Sequence, residues 1–219
     1  MILSVGVTKG GGGKSTLSVT LAVERAREGK RVLLLNADKQ KSCLKWATIR
    51  EQHNITPHIP CEYVFGLGKD LPDAIEEYHK QYDDVVIDVG GRDTEELRGA
   101  LTVSHFVLLP LKYAIFDAWE IGEMIEIIQE AQKFNRNLRG AFVVNEIAFN
   151  PTEEEITTLN AMLEPYEEVG VTNSGIMIRV RKCYWRAGGQ GLNALEFDPN
   201  DKKAEREVLS LYNLIYNGN

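Results

Sequence analysis

Residues 8–16 read Thr8-Lys9-Gly10-Gly11-Gly12-Gly13-Lys14-Ser15-Thr16, directly after a β-branched apolar run from Ile2 to Val7. A helical pattern follows, with Leu17, Leu21, Val23 and Ala26 along one broad face until Gly29. The order is therefore strand, glycine loop, helix. Glycines let successive amides turn inward and approach a ligand where any Cβ would clash. The helix aims its positive end at the same point. What such a loop cradles is a polyphosphate, with the amides of Gly10 to Gly13 and the Ser15-Thr16 turn as donors. Lys14 is placed to reach the β- and γ-phosphates, and the Ser15 hydroxyl to take Mg²⁺. A glycine run can also be a plain flexible loop; the strand before it and the Lys-Ser pair after it favour the phosphate reading.

The rest of the chain supplies carboxylates at matching places. Val32 to Leu35 is continuously apolar, as expected of a parallel strand covered on both faces. It leads into Asn36-Ala37-Asp38-Lys39-Gln40. Asp38 can cap a following helix, expected over Ser42 to Gln52, or it can face the ligand end of the sheet. Its position at a strand's carboxyl end favours the second. Val85-Val86-Ile87-Asp88 is an apolar strand ending in aspartate, the Walker B pattern, in which the carboxylate holds Mg²⁺ through water. Gly90-Gly91 then permits close backbone approach to a γ-phosphate. Arg92 after it reads either as an arginine finger or as a surface arginine in a salt bridge, and the second is the expectation taken here.

Further strands are expected at Ile59 to Val64, at Phe106 to Leu109 closed by Pro110, and at Ala141 to Val144 ending in Asn145. Helices are expected over Leu71 to Tyr82, near Glu95 to Val103, and after Asp117 with Ile121, Met124, Ile125 and Ile128 facing a core. Gly66 and Gly68 lack a nucleotide fingerprint and read as a turn. The last helix, with Val208, Leu211, Tyr212 and Ile215 at helical spacing, is expected to dock on the sheet. Strands alternating with helices specify an α/β fold, a doubly wound, mostly parallel sheet with helices on both faces.

Composition narrows the class. The 219 residues, 43% of them hydrophobic, are expected to form a single domain spanning 1–219. No apolar run approaches the roughly 20 residues of a membrane span, and no secretory leader is evident. Cys43, Cys61 and Cys183 are scattered, which fits a reducing cytosol and neither a disulfide frame nor a metal site. A net charge of -7 argues against a uniformly basic nucleic-acid binder, so any such contact needs a local patch. From Ile176 to Leu195 there is no acidic residue, and Arg179, Arg181, Lys182 and Arg186 lie there beside Tyr184 and Trp185. That stretch is either a phosphate-contacting surface or a solvated offset to Glu153–Glu155, Glu167 and Glu168.

Lys9-Gly-Gly-x-Gly-Lys14-Ser15 resembles the deviant Walker A loop of the ParA/MinD family of dimerising ATPases. The resemblance covers nearly the whole chain. It is nearest to short plasmid-partition ATPases without an N-terminal helix-turn-helix domain. It implies ATP and Mg²⁺ as cofactors, and an ATP-dependent sandwich homodimer in which Lys9 reaches the partner's nucleotide while Lys14 serves its own. Asp38 would orient the attacking water. Asn36 stands where the family has an aspartate and Lys39 where it has proline, so slow turnover is implied. Asn145 would read the adenine edge, although a strand-end turn asparagine is the alternative. The segment from Pro110 to Asp117 would lie at the dimer interface, and the basic segment would bind nonspecific DNA. A ParB-like centromere-binding partner would stimulate hydrolysis in a cytoplasmic, nucleoid-associated protein. Three rivals remain: a MinD-type regulator, which needs a basic amphipathic tail; an iron–sulfur carrier or nitrogenase-type reductase, which needs paired or cluster-binding cysteines; and a carboxylate-phosphorylating synthetase. Positioning of a non-DNA cargo stays open within the family.

Overall fold

The computed structural model describes residues 1–113 and 118–218. Its elements run β1 (Ile2–Val5), α1 (Lys14–Arg27), β2 (Val32–Ala37), α2 (Ser42–Gln52), β3 (Cys61–Tyr63), α3 (Leu71–Gln81), β4 (Asp84–Val89) and α4 (Glu95–Val103). Then follow β5 (Phe106–Lys112), α5 (Ala118–Gln132), β6 (Arg139–Ile147), α6 (Glu153–Leu163), β7 (Val171–Arg179), α7 (Lys182–Ala187), α8 (Ala194–Phe197) and α9 (Lys202–Tyr216).

The strands form one seven-stranded sheet in the order β3-β2-β4-β1-β5-β6-β7, and every pairing is parallel. Alternation along the apolar runs explains why they are apolar throughout. Leu33, Leu35, Val85, Ile87 and Val89 face one side, against Ile75 of α3, Leu97 and Leu101 of α4, and Met124 and Ile128 of α5. Leu34, Val86, Leu3 and Val5 face the other, against Leu17 and Leu21 of α1, Trp46 of α2, and Leu211, Tyr212 and Ile215 of α9. Each such side chain contributes about 1.5–3 kcal/mol by leaving water. β1 lies between β4 and β5, so the chain winds outward from it in both directions. That reversal opens a crevice at the carboxyl ends of the central strands, the place where open sheets of this kind bind ligands.

Pro110 does not close its strand; β5 continues through it to Lys112. Gly6 N donates to Leu108 O at 3.1 Å, so by alternation Pro110 also faces β1. There the β1–β5 pairing has already ended, at Val5 opposite Leu108, and the chain has turned toward the glycine loop. β6 likewise runs past Asn145 to Ile147. Of the dimer-interface segment expected from Pro110 to Asp117, residues 114–117 lie outside the described residues. β7 and α6 carry no expectation from the sequence. Among the described residues no helix is long and apolar enough to cross a membrane.

One polar anchor ties the loop side of the sheet to its last segment. Arg50 on α2 is 1% exposed and pairs through both terminal nitrogens with Glu196 on α8, each at 2.8 Å. It also donates to Gly191 O and Pro57 O, both at 2.9 Å. Removing the cation strands a buried carboxylate and two carbonyls. Arg50→Ala is therefore expected to lower unfolding free energy by roughly 3–5 kcal/mol in a urea melt; a loss below about 1 kcal/mol would contradict this account.

Candidate functional site

The glycine loop leaves β1 at Gly6 and enters α1 at Lys14. Gly13 sits at φ 78°, and a Cβ there would lie 2.2 Å from Asn145 Nδ2, so both the backbone angle and the space require glycine. Lys14 is 6% exposed and donates from Nζ to Lys9 O at 2.8 Å, which closes the loop on itself. Burial pulls its pKa below the ordinary lysine value, while the charges of Asp88 and Asp38 pull it back. Lys9 itself is exposed.

β4 delivers Asp88, which pairs in register with Val5 on one side and Asn36 on the other. Asp88 is fully buried; its Oδ2 accepts from Ser15 Oγ at 2.6 Å and from Cys43 Sγ at 3.1 Å. Its Oδ1 is buried without a partner. Burial pushes the carboxyl up to about 6 against those two hydrogen bonds; the charge of Asp38 adds to the rise and Lys14 opposes it. An orphaned buried oxygen beside a serine hydroxyl is a hard-donor arrangement that fits Mg²⁺, an ion that keeps waters and phosphate oxygens and needs few protein ligands. No group of three or more His, Cys, Asp or Glu residues able to hold a metal occurs among the described residues.

Asp38 is not the cap of α2. That helix begins at Ser42, with Lys41 before it at φ 58°. Asp38 Oδ1 instead accepts from Gln40 N at 2.8 Å, and a Cβ on Gly90 would lie 3.8 Å from its carboxyl carbon. Asn36, fully buried, donates from Nδ2 to Asp38 O at 2.6 Å and accepts from Leu44 N at 3.3 Å. The amide thus brackets the Asp38 turn to α2, a double role that an aspartate could fill only on the accepting side. Asn145, 5% exposed, donates from Nδ2 to Gly12 O at 2.8 Å and so braces the loop from beneath.

A cavity of about 830 Å³ is lined by Gly10, Gly11, Gly13, Lys14, Ser15, Thr16, Asp38, Gly90, Gly91 and Arg92, with Phe65 and Glu146 at its edge. The strand ends therefore bring the loop and Asp38 to one cavity, and Asp88 lies against the loop through Ser15 Oγ. The sequence reading missed Cys43, whose thiol reaches the site only because α2 folds back over Ser15.

The basic segment behaves differently. Arg181 is held by Glu207 of α9, Nε to Oε2 at 3.1 Å, and Tyr184 OH donates to the same carboxylate at 3.2 Å. The Arg179 side chain donates to Phe149 O. The carboxylate-free window was real in sequence, but α9 brings an acid back across it. Lys182 and Arg186 on α7 remain exposed, with the Arg186 guanidinium 5.1 Å from the Trp185 ring centre. Lys203 and Arg206 of α9 line the adjoining groove.

A family profile described as "CobQ/CobB/MinD/ParA nucleotide binding domain" matches residues 3–193. The chain is 26% identical over 217 residues to "Maintenance of carboxysome distribution protein A" of Halothiobacillus neapolitanus, covering 97% of this chain and 95% of that protein. It is 27% identical over 167 residues to "Protein ParA" of Rhizobium radiobacter, covering 74% and 72%. In fold it is similar to the septum site-determining protein MinD of Pyrococcus horikoshii OT3 complexed with Mg-ADP, at TM-score 0.73 and 17% identity over 99% of this chain and 96% of that one.

Asp88 carries a sign that can be tested. Its folded pKa lies above the ordinary value of 3.8, so the fold disfavours the carboxylate. That penalty is absent at acid pH, grows through the interval up to about 6, and is complete above it. Asp88→Asn is expected to raise the stability of the ligand-free protein at pH 8 by on the order of 1–3 kcal/mol, while increasing the Mg²⁺ needed for nucleotide binding. Melting curves at pH 5 and pH 8 with a metal titration check both; a variant unchanged in both would remove Asp88 from the site.

Proposed function

The chain belongs to the CobQ/CobB/MinD/ParA nucleotide-binding family, and we propose that it is a slow ATPase that closes into a homodimer on MgATP. In that state it holds duplex DNA without regard to sequence, and a partner protein resembling ParB triggers hydrolysis and release. The observation that carries the reading is the convergence of Lys14, Ser15 and Asp38 on one cavity at the carboxyl ends of the central strands, with Asp88 buried behind Ser15 and accepting from its hydroxyl.

Each residue has a task that follows from its setting. The amides of Gly10 to Gly13 and the α1 amino terminus neutralise phosphate charge. Lys14, already desolvated, exchanges its bond to Lys9 O for the β- and γ-phosphates. Ser15 and, through water, Asp88 would hold a bound Mg²⁺, which would neutralise phosphate charge. Asp38 orients the attacking water. Lys9 serves the partner's nucleotide across the dimer, and Asn145, whose Nδ2 braces Gly12 O, is left its side-chain oxygen for the adenine edge. With Asn36 in place of a carboxylate, the metal side carries less negative charge, which fits slow turnover.

DNA binding by an acidic chain needs its cations gathered on one face. Lys182 and Arg186, with Lys203 and Arg206, are the side chains exposed for that use, while Arg179 and Arg181 are committed internally. Two copies in a dimer would double the contacts and make binding ATP-dependent. Positioning of a cargo other than DNA is the second reading, favoured by a relative named for carboxysome distribution that matches 97% of the chain. In either case the protein would work in the cytoplasm, on the nucleoid.

Two outcomes test this. Lys14→Ala should weaken binding of a fluorescent ATP analogue by at least about tenfold to a hundredfold, the worth of a charge-assisted bond. Lys9→Ala should bind the analogue yet stay monomeric in light scattering. Near-normal affinity in the first variant, or a stable dimer in the second, would contradict the site or the sandwich respectively.

For DNA, each phosphate contact adds roughly 0.9 to the slope of log affinity against log salt. Lys182→Ala with Arg186→Ala should flatten that slope by about 2 per chain and leave ATP binding intact. Binding by wild type that is indifferent to ATP, or an unchanged slope in the variant, would contradict this surface.

A further inference from the structure

The turn between β4 and α4 is pressed against the glycine loop. A Cβ on Gly91 would lie 2.6 Å from Lys9 O and 2.7 Å from Gly10 N, so the two backbones touch there and only glycine permits it. The next residue, Arg92, lines the cavity with Lys14, Ser15 and Asp38. The turn is also fixed on its far side. Arg98 holds both oxygens of Asp93, at 2.7 and 2.8 Å, and pairs with Glu130 of α5 as well. Thr94 caps α4 by accepting from Leu97 N at 3.2 Å.

These contacts correct the expectation that Arg92 sits in a surface salt bridge. Its adjacent acid is taken by Arg98, and among the described residues no carboxylate is in ion-pair reach of Arg92. A guanidinium keeps its charge and offers a planar fork that suits two phosphate oxygens at once. What remains is an exposed guanidinium on a doubly anchored turn, in the lining of a cavity that a buried Lys14 and an exposed Lys39 also line.

We propose that Arg92 is a catalytic residue that contacts the γ-phosphate of the nucleotide held by its own chain and stabilises the charge that builds there during hydrolysis. The proposal rests on the reading of the cavity as an MgATP site. In the step, the water oxygen bonds to the γ-phosphorus as the bond to the β,γ-bridging oxygen breaks. That bond's electron pair leaves on ADP, and the water's proton passes to the released phosphate or to solvent. Arg92 neither gives nor takes a proton. It meets the spread of charge over the equatorial oxygens, a role for which arginines in other phosphoryl-transfer sites act either in cis or from a partner.

The test compares wild type, Arg92→Ala and Arg92→Lys in three measurements: MgATP affinity, kcat at saturating MgATP, and affinity for ADP with Mg²⁺ and aluminium fluoride. Arg92→Ala should keep MgATP affinity within about threefold while kcat and aluminium fluoride affinity fall roughly a hundredfold, the usual worth of a transition-state donor. Arg92→Lys should recover part of both, since a point charge lacks the fork. Equal kcat and equal aluminium fluoride affinity in Arg92→Ala would overturn the proposal. So would an equal loss of ATP and aluminium fluoride affinity, because that marks a ground-state contact only. Mixing Arg92→Ala with Asp38→Ala separates cis from trans: the mixture should stay inactive, and restored turnover would show that Arg92 serves the partner. Wild type that fails to bind MgATP would overturn the nucleotide reading itself, which these variants by themselves do not do.

Discussion

The hydrogen bond from Lys14 Nζ to Lys9 O, at 2.8 Å, is the contact on which the rest of the site depends. It closes the run of glycines around a buried ammonium, and Gly10, Gly11 and Gly13 line the cavity beside it. An ammonium removed from water needs compensation, and here it comes from one carbonyl and the charges of Asp88 and Asp38. That compensation is partial, as the lowered pKa records. A polyphosphate would supply more negative charge than the two carboxylates do, so the buried ammonium suits such a ligand.

The same arrangement costs stability elsewhere. Asp88 is buried with one oxygen unpartnered, and a cation is what would relieve it. Active sites characteristically hold groups that an unliganded fold would be better without. The sheet order places this burden at its centre, where β4 and β5 flank β1 and the surrounding strands are apolar on both faces. Arg50, Glu196 and the Asn36 bracket then tie the Asp38 turn and α2 to the chain's last third.

The central half of this fold was legible because continuous apolar runs and a glycine loop leave few alternatives. Helices Ser42–Gln52 and Glu95–Val103 fall where their spacing puts them. The convergence of the loop, Asp38 and Asp88 followed from strand ends alone. Other features depended on tertiary pairing. Pro110 reads as a strand end, yet it is harmless where β1 has already departed. β7 is an edge strand with a Thr-Asn-Ser-Gly run that reads as a turn, and its register shifts twice against β6. The capping box of Thr152 and Glu155 was a visible start signal for α6 that went unused. Arg181 read as a free cation because Glu207 lies outside its window in sequence and only helix packing brings them together.

Hydrogen exchange with and without MgATP tests the convergence most directly, because it reports every participating segment in one experiment. The account predicts simultaneous protection of residues 8–16, 36–40 and 88–94 on addition of MgATP, with little change at the amino-terminal edge of the sheet around Met1 and His105. Omitting Mg²⁺ should remove the protection at 88–94 while part of that at 8–16 remains. Protection confined to the glycine loop, or none at all, would contradict the claim that these strand ends form one nucleotide site.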